Sequence, residues 1–116
     1  MKCLLLAAAA AGFAIAGNAH AQSMQTEFQN ESLTVLRIRL APGEKTPMHD
    51  ITPRLVVWLT DARLKDTAAD GTVREERWKA GQTVWLTARR HAGENLGERA
   101  VEFIAILPRA QGPASH

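Results

Sequence analysis

An all-β fold is predicted for this chain, and three observations predict it. Apolar residues alternate with polar ones at period two. Turn signals fall about every ten residues. No stretch sustains the 3.6-residue apolar stripe of an amphipathic helix. Together they describe a small sandwich or barrel of antiparallel strands.

The elements follow in chain order. Met1-Lys2 is a short positive segment, and residues 3–16 are an apolar run. Ala19-His20-Ala21 then supplies a small-x-small cleavage pattern before Gln22. This is the layout of a secretory signal peptide over 1–21. The run falls short of the roughly 20 apolar residues that span a bilayer. Residues 22–31 are polar and read as a mobile N-terminal arm. The folded domain is expected over 32–108. Its first strand shows in Leu36, Ile38 and Leu40 alternating with Arg37 and Arg39, and Pro42-Gly43 ends it. The run Leu-Val-Val-Trp-Leu at 55–59 is too short for a helix and reads as a strand covered on both sides. Strands at 62–67 and 73–78 flank an Asp70-Gly71 hairpin signal. Lys79-Ala80-Gly81 is another turn, 84–86 a short strand, and Gly93 and Gly97 bracket a loop after His91. The last strand is 101–107, followed by a disordered polar tail over 109–116.

Charge and cysteine usage narrow the function. Removing the leader leaves 95 residues, with 13 Lys+Arg against 12 Asp+Glu. The arginines are dispersed among acids, with no basic stripe, so nucleic acid is not an expected partner. The single cysteine is Cys3. The mature chain therefore has no disulfide, thiolate nucleophile or cysteine metal ligand, a composition that suits an oxidising compartment such as a periplasm. No membrane association of the mature form is expected. There is no tyrosine, which removes a tyrosyl acid or base from any mechanism.

Chemistry concentrates around two histidines. Gly43 is followed by five residues and then His49. Gly81 stands ten positions before His91, which is followed by three residues and Asn95. Read alone, such a pair fits two partly buried histidines bonded to carbonyls. In this spacing, with Ala41-Pro-Gly-Glu-Lys-Thr-Pro-Met-His49, Arg54-Leu-Val-Val-Trp-Leu-Thr60 and His91-Ala-Gly-Glu-Asn-Leu-Gly97, the chain resembles a small single-domain cupin. It is similar to the small cupins assigned to β-alanine degradation. The resemblance spans most of the mature chain and implies a double-stranded β-helix, or jelly-roll, barrel.

A metal-binding cupin typically supplies three histidines and a glutamate. Here the first and last histidine positions are His49 and His91, the second is Ile51, and the glutamate position is Leu55. The resemblance thus implies an incomplete metal site, because a stable site normally needs three or four protein ligands. The expected function is an exported, periplasmic small-molecule-binding cupin with no cofactor, its pocket formed by His49, Ile51, Leu55, Arg89 and His91. Its rivals are a dioxygenase- or isomerase-like cupin enzyme using Zn, Ni, Mn or Fe on His49 and His91, and an interaction module with a vestigial pocket. Trp58, Trp78 and Trp85 read as packing residues. Parity with Leu55 turns Trp58 away from the pocket. Asn95 reads as the fastener of the Gly93–Gly97 turn. By resemblance the chain is expected to form a homodimer through edge strands.

Overall fold

A computed structural model of the chain describes residues 23–109. The leader expected over 1–21 and the tail beyond Arg109 lie outside the described residues. Those residues form nine strands and no helix: β1 (Ser23–Gln29), β2 (Leu33–Leu40), β3 (His49–Ile51), β4 (Arg54–Trp58), β5 (Ala62–Ala68), β6 (Val73–Trp78), β7 (Thr83–Leu86), β8 (Arg89–Asn95) and β9 (Val101–Pro108). All pairings are antiparallel. One sheet has the order β1-β2-β9-β4-β7 and the other β3-β8-β5-β6.

The two sheets face each other as an open jelly-roll sandwich and do not close into the expected barrel. Closure would need the sheet edges to share a hydrogen-bond ladder. At the β3 edge that is denied locally. β3 is three residues long, and Pro47 and Pro53 on either side of it lack the N–H that would extend it.

The alternation read in the sequence sets the two faces of the larger sheet. Leu36, Ile38 and Leu40 of β2 lie opposite Ala105, Phe103 and Val101 of β9, and Val56 and Trp58 of β4 lie opposite Ala105 and Phe103. These side chains point between the sheets. Val56, Trp58, Ala62 and Val101 form the buried centre, with Leu64, Trp78, Val84, Leu86 and Phe103 packed around it.

The hairpin at Asp70-Gly71 forms as expected between β5 and β6. Gly71 has φ of +92°, a region that an L side chain enters at a cost, and Asp70 accepts the Thr72 N–H at 2.9 Å. Two readings are corrected. The polar arm over 22–31 is largely a strand, β1, paired along β2. Every residue of β1 is solvent-exposed, and its two large apolar residues, Met24 and Phe28, stand four apart among polar ones, too sparse a pattern to mark a strand. The stretch expected as a loop around Gly93 belongs to β8. Gly93 is extended there and its N–H donates to Thr46 Oγ1 at 2.9 Å.

Candidate functional site

β3 and β8 are neighbours, and their register puts His49 directly opposite His91 and Ile51 opposite Arg89. Residues two apart on a strand share a face. His49 and Ile51, and Arg89 and His91, therefore all point between the sheets. They line a cavity of about 470 Å³, together with Val56, Trp58, Trp78 and Phe103. The cavity lies in the size range of small-molecule sites.

Leu55 does not join them. On β4 the residues facing the cavity are Arg54, Val56 and Trp58, so Leu55 lies on the outer face, opposite Ile106 of β9 and Trp85 of β7. The expected parity is thus reversed, and Trp58 faces the cavity. The cause is visible in the run itself. Five successive apolar residues carry no polar marker from which to read the phase. Trp58 stacks on Trp78 with ring centroids 5.6 Å apart and planes 12° apart, and meets Phe103 at 4.9 Å with the planes tilted by 49°. Trp85 is 52% exposed on the outer face.

Each histidine is oriented through Nδ1. His49 Nδ1 lies 2.7 Å from the Pro47 carbonyl. A carbonyl can only accept, so Nδ1 carries the hydrogen and the neutral ring keeps its lone pair on Nε2. His91 Nδ1 lies 2.6 Å from Asp66 Oδ1, which fixes the same tautomer. The rings are 5.0 Å apart and inclined at 55°. Asp66 is buried on β5 and also accepts Arg89 Nη2 at 3.3 Å. Neither Asp66 nor its role was legible in the sequence. It lies 25 residues before His91 in a strand read as Ala-Arg-Leu-Lys-Asp-Thr, and only the β5–β8 pairing brings the two together. Asp50, next to His49, points away and pairs with Arg90 at 3.2 Å on the solvent side.

Three buried donors on residues that line the cavity have no hydrogen-bond partner among the described residues: Trp58 Nε1, Trp78 Nε1 and Arg89 Nε. Arg54, at the cavity wall, has its pKa lowered by burial. The donor set does not fit a resident metal ion. Two neutral imidazoles face one space, and the nearby carboxylate, Asp66, is engaged by His91 and Arg89. No group of three histidine, cysteine, aspartate or glutamate side chains able to hold an ion occurs among the described residues.

Asn95 ends β8 fully buried. Its Nδ2 donates to the carbonyls of Leu40, Ala41 and Arg99 at 3.2, 3.2 and 2.9 Å, and its Oδ1 accepts the Gly97 N–H at 2.9 Å. It fixes the turn, as the sequence suggests, and also ties that turn to the end of β2.

No protein-family model matches the chain, and no curated protein matches it. Solved structures do. A cupin domain from Bordetella pertussis Tohama I is 21% identical with a TM-score of 0.71, over 77% of this chain and 94% of that one. An RmlC-like cupin family protein with a double-stranded β-helix fold from Methanocaldococcus jannaschii is 16% identical with a TM-score of 0.59, over 77% and 81%. The polyketide cyclase RemF from Streptomyces resistomycificus is 13% identical with a TM-score of 0.63, over 79% and 68%. The chain has the fold of a small single-domain cupin. Fold at this identity does not carry an activity.

Proposed function

We propose that this cupin-fold chain binds a small, mostly apolar organic molecule that presents a carbonyl or carboxylate oxygen to the cavity between its sheets. The observation that carries the reading is the set of buried, unpartnered donors at Trp58, Trp78 and Arg89. A buried donor left unmade costs roughly 1–3 kcal/mol. A ligand oxygen relieves that cost, whereas an amine adds donors to donors. The apolar wall of Val56, Phe103, Ile51 and the two indoles holds the rest of the molecule. His49 Nε2 and His91 Nε2 stand as acceptors for a ligand hydroxyl.

A matched series tests this: benzoate, benzamide and benzylamine, each followed by thermal shift and calorimetry. The acid and the amide are expected to stabilise the protein and the amine not. Trp58→Phe and Trp78→Phe keep a ring but remove one donor. Each is expected to weaken benzoate about fivefold, near 1 kcal/mol. Equal binding of the amine, or no binding by any member, would overturn the reading.

In this reading the metal site is degenerate, and Ile51 provides lining where a third imidazole would stand. The reading also includes export. The mature protein is expected to begin at Gln22, which intact mass of the secreted product checks.

The short Asp66–His91 contact supports a second reading, acid–base catalysis on the bound molecule. Asp66 would hold His91 with its Nε2 lone pair toward the substrate, as an orienting carboxylate does for a general base. Asp66→Asn would then preserve binding and abolish turnover of the bound compound, followed by mass spectrometry.

A further inference from the structure

The charged residues that line the cavity are partnered, with one exception. Asp50 pairs with Arg90 at 3.2 Å, Lys65 with Glu94 at 3.6 Å, Glu76 with Arg74 at 2.8 Å, and Asp66 with Arg89 at 3.3 Å. Arg54 also lines the cavity, and it pairs with no carboxylate among the described residues. Its Nε donates to the Thr52 carbonyl at 2.9 Å and its Nη2 to Thr52 Oγ1 at 3.3 Å. Both acceptors are neutral, so the positive charge stays unmatched. The residue is half-buried, and Leu86 of β7 stands opposite it. Burial lowers its pKa, as it does for a cation in a poorly solvating place.

The unmatched charge and the unpartnered indoles belong to opposite ends of one strand. Arg54, Val56 and Trp58 are alternate residues of β4, and all three line the cavity. Four residues of extended chain put the Cα atoms of Arg54 and Trp58 about 13 Å apart. Val56 lies between them, with Leu86 and Val84 alongside on β7. Trp78 stacks on Trp58 at the far end. The indole N–H groups are neutral donors, buried and without a partner among the described residues. One wall of the cavity thus runs from a cationic donor, over apolar surface, to neutral donors.

Given the cavity site proposed above, on which this inference rests, we propose that its ligand is a two-ended acid. One carboxylate is held by Arg54. Across an apolar chain, a neutral carbonyl or hydroxyl oxygen is held by the indoles of Trp58 and Trp78. Arg54 is then the residue that selects the charge and the length of the ligand. One unmatched guanidinium calls for one negative charge. A carboxylate carries that charge and fits the planar N–H fork with two parallel hydrogen bonds. A phosphate monoester carries roughly −1.5 to −2 at neutral pH and would leave part of its charge unmet. A neutral ligand of the same length leaves Arg54 as it is, and an amine end adds a second unmatched cation. Arg89 does not compete for the carboxylate, because Asp66 already takes up its charge. The indole end needs no charge, since its donors carry none.

Monomethyl suberate and dimethyl suberate test it, because they share one chain and one ester end and differ in a single charge. Calorimetric titration of the wild type is expected to show the monomethyl ester binding about tenfold tighter, the lower end for hydrogen bonds to a charged group, as suits a half-buried site. In Arg54→Met, which keeps an apolar stem, that preference is expected to fall to near parity. Arg54→Lys keeps the charge without the fork and is expected to hold part of it. The preference is a ratio read within each protein, so a change in the stability of a variant does not disturb it. Trp58→Phe is expected to weaken both esters alike, since it removes a donor from the end they share. Equal binding of the two esters by the wild type overturns the proposal. So does a preference that survives in Arg54→Met, because the charge is then read elsewhere. Trp58→Phe with wild-type affinity for both esters overturns the neutral end. Benzoate separates two kinds of failure. Where benzoate binds and the esters fail these tests, the two-ended acid falls and the cavity site stands; where neither benzoate nor an ester binds, the site falls with it.

Discussion

Asn95→Ala is expected to be among the most damaging single changes on the chain, although Asn95 touches neither the centre of the core nor the cavity. The magnitude follows from its bonds. The side chain is fully buried, and its amide nitrogen spreads two hydrogens over three carbonyls while its oxygen accepts the Gly97 N–H. Truncation releases these groups where the Leu40 carbonyl is buried and the others are part-buried. The Ala41 carbonyl keeps the Glu44 N–H as a partner. Two to three unmet groups at about 1–2 kcal/mol each give a loss of roughly 3 kcal/mol. For a domain of this size that lowers Tm by roughly 12–24 °C. Urea denaturation should show the midpoint fall with the slope unchanged, since the native surface is the same. Asn95→Asp sharpens the test. It can still accept from Gly97, but it turns a carboxylate oxygen toward three carbonyls, so it should be less stable at pH 7 than at pH 4, where a protonated oxygen can donate. A loss below about 0.5 kcal/mol for Asn95→Ala, or a pH-independent Asn95→Asp, would refute the argument that this network fastens β8 to β2.

Other expectations concern the hairpin and the site. Gly71→Ala should cost about 1 kcal/mol, because φ of +92° is strained for any L side chain; thermal melts check it. The Thr72 backbone N–H holds the Asp70 carboxyl below its ordinary pKa of 3.8. A lowered carboxyl stabilises the fold above its unfolded pKa, and that contribution fades as pH falls through the folded value; an NMR titration should place the Asp70 midpoint below 3.8. Ile51→His should add a third imidazole beside His49 and His91 and create a stoichiometric Zn²⁺-binding step in calorimetry that the wild type lacks. Leu55→Glu should not strengthen that step, since residue 55 lies on the other side of the sheet.

The sequence is legible where one face of a strand is wet and the other dry. β2 shows this in Leu36, Ile38 and Leu40 against Arg37 and Arg39, and its register with β9 follows the same alternation. It is illegible where both faces share one character. β1 is exposed throughout and mostly polar, with Met24 and Phe28 alone among its residues large and apolar, so its backbone pairing makes it a strand. The 55–59 run is apolar on both faces, so it offers no phase to check the pocket place that resemblance gives Leu55, and the structure exchanges Leu55 and Trp58. The reading that the run is covered on both sides contains a further clue. The cavity covers one face, and the structure of one chain leaves the other partly in water. His49 and His91 were found because glycine spacing and histidines survive as local text. Asp66 was missed because its connection to His91 exists only across the β5–β8 ladder.

The chemistry of the cavity follows from which groups the fold leaves without a partner. In a metal centre the ion would absorb the Nε2 lone pairs of the histidines, and a buried carboxylate would face it. Here the carboxylate of Asp66 faces away from that task, held between His91 Nδ1 and the Arg89 guanidinium. Ile51, 5% exposed, contributes surface and no lone pair. What remains unpaired among the residues that line the cavity is a set of buried N–H donors on Trp58, Trp78 and Arg89. An ion with positive charge gains nothing from such donors, whereas an organic oxygen gains hydrogen bonds. A third imidazole at residue 51 and removal of the indole donors should therefore act in opposite directions. The first should raise metal affinity without improving carboxylate binding, and the second should weaken carboxylates without affecting metal. If instead both changes moved both affinities together, the two chemistries would share one set of groups, and the division drawn here between the His49–His91 pair and the indole donors would be wrong.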